Sequence, residues 1–170
     1  MPAEKTASTP CVSFRLGREG FGIALDQVRE ITLAGRVAPV PLAPAVIRGI
    51  VQMRGGVVTL IDVATMFGRP LPPASGPGDE LALILAPPFG HLGLYVRAPV
   101  EIGCAAAPRA EAAAMRSVAG PGLNETAEEE ARAPAGGLAA LSGEIVHLLS
   151  AKDMAGYCQT KVLERFRRAN

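Results

Sequence analysis

Residues 48–62 read RGIVQMRGGVVTLID. Two apolar runs, Ile50 to Met53 and Val57 to Ile61, flank Arg54-Gly55-Gly56, and this pattern predicts two strands joined by a tight turn. Gly55-Gly56 lacks the spacing and the lysine of a phosphate loop, and neither a nucleophile nor a metal ligand accompanies the arginine. A strand-turn-strand unit with glycines leaves Arg54 little local side-chain cover, so its guanidinium is free to form a fork of hydrogen bonds or to reach a partner. The stretch therefore reads as a docking surface rather than an active site. Asp62 is placed to cap a short helix over Val63 to Phe67, which Gly68 ends.

Upstream, Val12, Phe14 and Leu16 alternate with polar residues, Arg18-Glu19-Gly20 forms a turn, and Phe21, Ile23 and Leu25 share one face, which predicts a hairpin. Pro39-Val40-Pro41-Leu42-Ala43-Pro44 withholds backbone donors and reads as a rim segment, followed by one helical turn through Ala45 to Arg48.

Two stretches recur in the same order. Phe21-Gly22-Ile23-Ala24-Leu25, leading to Arg29-Glu30-Ile31, is echoed by Leu92-Gly93-Leu94-Tyr95-Val96, leading to Val100-Glu101-Ile102. Val57 to Asp62 with Met66-Phe67-Gly68 is echoed by Ile145 to Ser150 with Met154-Ala155-Gly156. Short apolar alternations also recur by accident in β proteins, but two matches in sequence point to a duplicated β unit. The fold class is therefore all-β, with two small units divided near Gly68 to Asp79, where proline and glycine accumulate. Subdomain 1 is expected over 11–68 and 150–158, and subdomain 2 over 79–149. Units so small bury too little surface alone, so they should pack together, and their seam is expected to form a groove. Residues 103–141 read as a long surface loop with a helical piece around Ala110 to Met115 and a solvated acidic run, Glu128-Glu129-Glu130. The tail, Lys161 to Arg168, reads as a short amphipathic helix with Val162, Leu163 and Phe166 on its apolar side, suited to capping a barrel rather than to membrane binding.

The chain has 170 residues, 49% hydrophobic and 19% charged, with a formal net charge of +1, which suits one packed domain. That balance gives no reason to expect nucleic acid or an anionic membrane, and with 4% aromatics and no Trp there are no stacking platforms for single strands. MPAEKTASTP has no apolar stretch and every hydrophobic run is interrupted well short of a bilayer span, so the expected location is cytoplasmic, without membrane insertion. Cys11, Cys104 and Cys158 are far apart and odd in number, which predicts reduced, mostly buried thiols. No ligand pair shares a short spacing, so no metal and no cofactor is expected. His91 and His147 lack a nucleophile signature, and Asp26, Glu30 and Asp62 form no evident acid–base pair, so no catalytic residues are assigned. A small β-barrel enzyme stays open as an alternative; it would need convergent polar side chains in a closed pocket.

The segment Phe21 to Gly68 resembles the CheW-type coupling domain of bacterial chemotaxis. The resemblance is carried by Phe21-Gly22-Ile23 with Val28-Arg29-Glu30-Ile31, Val40-Pro41-Leu42-Ala43-Pro44, Ile47-Arg48-Gly49-Ile50-Val51-Gln52-Met53-Arg54-Gly55, and Val58 to Asp62 followed by Phe67-Gly68. Leu81 to Val96 and Gly143 to Leu149 fit more loosely, with Arg97 and Ser150 standing where the family usually has acidic residues. The resemblance implies a single domain over 1–170, built of two intertwined five-stranded SH3-like β-barrels with short helices and a C-terminal helix. It also implies a non-enzymatic adaptor that couples a chemoreceptor's cytoplasmic tip, lying in the groove between barrels, to the regulatory domain of the histidine kinase CheA, paired barrel to barrel. A coupling role in pilus motility or second-messenger control is equally compatible, as is a degenerate domain that binds one partner. The resemblance places the partner-binding site at Val28, Glu30, Ile31, Gly49, Arg54 and Gly55. Glu30 and Arg54 are expected to pair near the groove, Val28 and Ile31 to add apolar contact, and Gly49 to permit close backbone approach.

Overall fold

Alternation of apolar and polar residues is realised as ten strands within residues 8–106 and 135–169, the part of the chain that the computed structural model describes. The elements are β1 (Ser8–Leu16), β2 (Glu19–Ala24), a 3-10 turn (Leu25–Gln27), β3 (Val28–Leu33), β4 (Ile47–Met53), β5 (Gly56–Asp62), α1 (Val63–Phe67), β6 (Glu80–Leu85), β7 (Leu92–Arg97), β8 (Val100–Ala106), β9 (Ala135–Leu141), β10 (Glu144–Leu149) and α2 (Ala151–Ala169). The fold is all-β, as expected, with a C-terminal helix. One set of strands closes into a barrel in the order β1-β2-β10-β9-β8, and the other forms a five-stranded sheet ordered β3-β6-β7-β5-β4.

The pairing explains the internal repeat and corrects the expected division at 68–79. Barrel strands β1 and β2 come from the first half and β8 to β10 from the second; the sheet takes β6 and β7 from the second half and β3 to β5 from the first. Each half thus lends a hairpin to the other. The repeated stretches meet in equivalent parallel pairs, Phe21 against His147 with Ile23 against Leu149, and Leu92 against Thr59 with Leu94 against Ile61. Parallel pairing cannot be closed by a short hairpin, so it has to join segments distant in sequence.

This exchange fills the seam. Val12, Phe14, Leu16, Phe21 and Ile23 from the barrel's outer face pack with Ile61, Leu83, Leu85, Leu94 and Val96 from the sheet and with Met154 and Cys158 of α2. Smaller clusters fill the barrel interior (Cys11, Ala105, Ala139, Leu141, Val146) and the other face of the sheet (Val51, Val58, Leu60, Ala82, Ile84, Tyr95). The seam expected to be a groove is therefore the largest part of the core, because burying both apolar sheet faces against each other is what stabilises units of this size.

Local signals hold at several points. Asp62 Oδ1 accepts the Thr65 amide at 3.0 Å, and Gly68 ends α1 at φ 61°. Strand β4 begins at Ile47, three residues earlier than expected, so the helical turn expected through Ala45 to Arg48 shortens to a turn at Ala45 and Val46, with the Ile47 amide donating to the Pro44 carbonyl at 2.8 Å. The expected loop 103–141 is strand at both ends, in β8 and β9, whereas Ala110 to Met115 and Glu128 to Glu130 lie outside the described residues. Helix α2 starts at Ala151 rather than near Lys161 and buries Ala151, Met154 and Cys158; Leu163 is exposed, and the Phe166 side chain is outside the described set. Both departures from the family pattern have structural uses. Arg97 pairs with Glu80 at 3.5 Å and donates to the Pro72 carbonyl at 2.8 Å, and Ser150 Oγ caps α2 by accepting the Asp153 amide at 3.4 Å. No described helix is long and apolar enough to cross a membrane.

Candidate functional site

The turn between β4 and β5 holds Arg54 at φ 46° and Gly55 at φ 79°, both left-handed, as a two-residue turn matched to strand twist requires. Glycine accepts this without cost, whereas for arginine the left-handed conformation costs about 1 kcal/mol. The strained residue is also displayed. The Arg54 side chain is 78% exposed, yet its guanidinium is held: Nε lies 2.9 Å from Glu30 Oε2, and Nη2 donates to Glu30 Oε1 at 2.9 Å. At such exposure the pair adds only about 0–1 kcal/mol of stability, so folding alone gives little reason for a strained arginine here.

Glu30 reaches this turn because β3 has a bulge between Val28 and Glu30. The carboxylate thereby falls on the same face as its partner Ile84, away from the seam, while Val28 and Ile31 pack against the inter-sheet core. The expected pairing of Glu30 with Arg54 is present. Val28 and Ile31, expected to add apolar contact, lie half-buried on the opposite face, turned towards the seam by the bulge and the strand period. Gly49 is also separate: it is buried at φ 150° in a second bulge, where a Cβ would lie 2.5 Å from the Ala38 carbonyl oxygen and 2.6 Å from Val37 Cγ1. Its role is close packing, and Gly55 serves the turn.

An open hollow of about 620 Å³ adjoins the ion pair, lined by Arg29, Glu30, Met53, Arg54, Val57 and His91 among others. Its apolar floor continues into Val57, which is 60% exposed at the start of β5. Arg29 forms no ion pair among the described residues, and its guanidinium lies along Gly90, 3.4 Å from where a Cβ there would stand. Arg54 is neutralised by Glu30, so Arg29 leaves the hollow with one surplus positive charge. Arg29, Met53 and Val57 are members that sequence reasoning passed over; the available signal was their adjacency to Glu30 and to the Arg-Gly-Gly turn. Arg48, beside Gly49, is used structurally, with its guanidinium 4.7 Å above the Tyr95 ring centroid. The hollow combines an apolar floor, a polarised fork and a cation, an arrangement suited to holding a protein segment.

Comparison with known proteins agrees with this architecture. The solved structure of the scaffolding protein TtCheW from Thermoanaerobacter tengcongensis superposes with a TM-score of 0.58 at 22% identity, covering 85% of this chain and 90% of that one. Chemotaxis protein CheW of Treponema pallidum is 38% identical over 56 residues, 33% of each chain, and that of Rhizobium meliloti is 33% identical over 57 residues, 34% of this chain and 37% of the relative. The probable chemotaxis protein CheW of Rhizobium etli is 32% identical over 91 residues, 54% of this chain and 57% of that protein. These matches span about a third to somewhat over half of the curated relatives. The model of the CheW-like domain matches residues 10–103, more than half of the chain, and with nearly all of the β1–β2 hairpin, the β6–β7 hairpin and the Glu30–Arg54 turn inside that span, the chain belongs to the CheW-like domain family.

Proposed function

We propose that this chain is a non-enzymatic adaptor of chemotaxis signalling that couples a chemoreceptor's cytoplasmic tip to the regulatory domain of the histidine kinase CheA, acting in the cytoplasm. The observation that carries the reading is the Glu30–Arg54 pair, held on a strained and exposed turn beside an open hollow in a chain of this family. The hollow is open and mixed in character, which suits recognition of a protein surface better than enclosure of a small substrate. The receptor segment occupies the Arg54 hollow, and the kinase domain engages a separate face of the strand layers.

A pull-down of a receptor signalling fragment and of the CheA regulatory domain from the same genome tests this, using wild type and Arg54→Ala, with circular dichroism to verify folding. The expected result is that wild type retains both and the folded variant loses the receptor fragment. Retention of neither by wild type would overturn the coupling role.

A further inference from the structure

The duplication extends to the hollow itself. Glu30 stands opposite Ile84, and Ile84 opposite Gly93; in the barrel, Glu101 stands opposite Ser13, and Ser13 opposite Gly22. Gly22 and Gly93 are matched members of the internal repeat, so Glu101 is the barrel's counterpart of Glu30. The β9–β10 turn repeats the β4–β5 turn as well. Leu141 pairs with Glu144 across it as Met53 pairs with Gly56, and Ser142 and Gly143 have φ 50° and 87°, close to the 46° and 79° of Arg54 and Gly55. A second hollow of about 260 Å³ opens there, lined by Arg15, Gly20, Glu101, Ser142, Glu144 and Val146 among others. The counterpart of the Arg54 hollow thus exists, with three changes: Ser142 stands where Arg54 would be, Val100 where Arg29 would be and Glu144 where Gly56 would be.

Together with Arg15 on β1, these changes invert the charge. Arg15 Nη1 pairs with Glu144 Oε2 at 2.5 Å, whereas Glu101 is exposed and has no cationic partner among the described residues. The barrel hollow carries one surplus negative charge, located on the carboxylate whose in-chain arginine is replaced by Ser142.

We infer that the barrel hollow is a second protein-docking site, in which a partner inserts an arginine beside Glu101 and so supplies the guanidinium that Arg54 supplies within the chain at the other hollow. An arginine fits better than a lysine, because the corresponding carboxylate at Glu30 is engaged by a planar fork through Nε and Nη2. The two hollows then select different partners: the surplus positive charge at Arg29 favours an acidic segment and the surplus negative charge at Glu101 a basic one. This assignment rests on the adaptor reading for the identity of its probes, not for the geometry of the site.

Two substitutions test it, Glu101→Gln and Ser142→Arg. The first removes the carboxylate; the second places an arginine at a position whose backbone already matches that of Arg54, filling the site from within the chain. Titration calorimetry should show the CheA regulatory domain weakened by about tenfold or more in both variants and the receptor signalling fragment unchanged within about twofold, whereas loss of the receptor fragment instead would overturn the assignment. A crystal structure of Ser142→Arg should show the new guanidinium on Glu101. Unchanged binding of both probes to folded variants would overturn the site, and equal loss of both would overturn its selectivity. Loss of self-association rather than of either probe would assign the hollow to a second copy of the chain and overturn the inference. Failure of wild type to bind either probe would instead remove the adaptor reading itself.

Discussion

Arg54 occupies a backbone conformation that asparagine or glycine adopts more readily, and it does so with most of its side chain in solvent. Arg54→Asn should therefore change folding stability by less than about 1 kcal/mol, since relief of the turn offsets loss of an exposed ion pair, while abolishing binding of the receptor fragment. Urea denaturation alongside calorimetry separates the two effects, and a stability loss well above that would make the pair structural. Arg29→Gln should weaken the same interaction and flatten its dependence on salt, because the surplus charge of the hollow is removed; identical salt slopes for variant and wild type would refute that role. Gly49 behaves differently. Alanine there meets the Ala38 carbonyl and Val37 at a positive φ, so Gly49→Ala should cost about 2–4 kcal/mol by denaturant midpoint and reduce binding only through the fold.

Among the elements, the two described α-helices are tied down by caps at matched positions of the repeat, Asp62 for α1 and Ser150 for α2. Asp62 is buried and its bond is the shorter, so Asp62→Ala should cost about 1–2 kcal/mol and Ser150→Ala about 0.5–1 kcal/mol in thermal or denaturant unfolding. Helix α2 also carries a titratable reporter of its own packing. Burial against the seam raises the Cys158 thiol from 9.0 to about 12. A pKa raised on folding means that the native state keeps its proton when the unfolded chain has lost it. The stabilisation is complete below pH 9 and declines as pH rises from about 9 towards 12, so alkaline unfolding should be less steep in Cys158→Ala. With Cys11 and Cys158 buried and Cys104 exposed, an aromatic disulfide reagent near pH 8 should titrate one thiol in the native protein and three after denaturation.

At the scale of the whole molecule, the swap of hairpins makes the two strand layers mutually dependent. A fragment ending near residue 78 holds β1 and β2 without the β8–β10 that complete their barrel, and β3–β5 without β6 and β7. Neither it nor its complement should show native β structure alone by circular dichroism or amide exchange, whereas an equimolar mixture should recover it. Independent folding of either piece would contradict the intertwined core. For the same reason the intact chain should unfold in one cooperative step, since the largest apolar cluster draws from the barrel, the sheet and α2 together.

Much of this protein follows from local chemistry in its sequence. The period-2 alternation, the Arg-Gly-Gly turn, the Asp62 cap and the repeated FGI and LGL stretches determine strands, turn, helix start and duplication, because each depends on residues adjacent along the chain or on the two-fold period of a strand. The pairing of Glu30 with Arg54 was legible through family resemblance; spacing alone would leave an ordinary surface arginine. Which half each hairpin joins was decided only by tertiary structure, since parallel pairing carries no short-range signal and the apolar faces of β1, β2, β6 and β7 fit either partner by pattern alone. The placement of Val28 against the seam, on the face opposite Glu30, was decided by a bulge that shifts the strand period by one residue. The opposed charges of the two hollows likewise emerge only once folding brings Arg29 to the turn bearing Arg54, and Glu101 to the one bearing Ser142. Charge along a sequence has no sign at a site until the backbone determines which side chains share it.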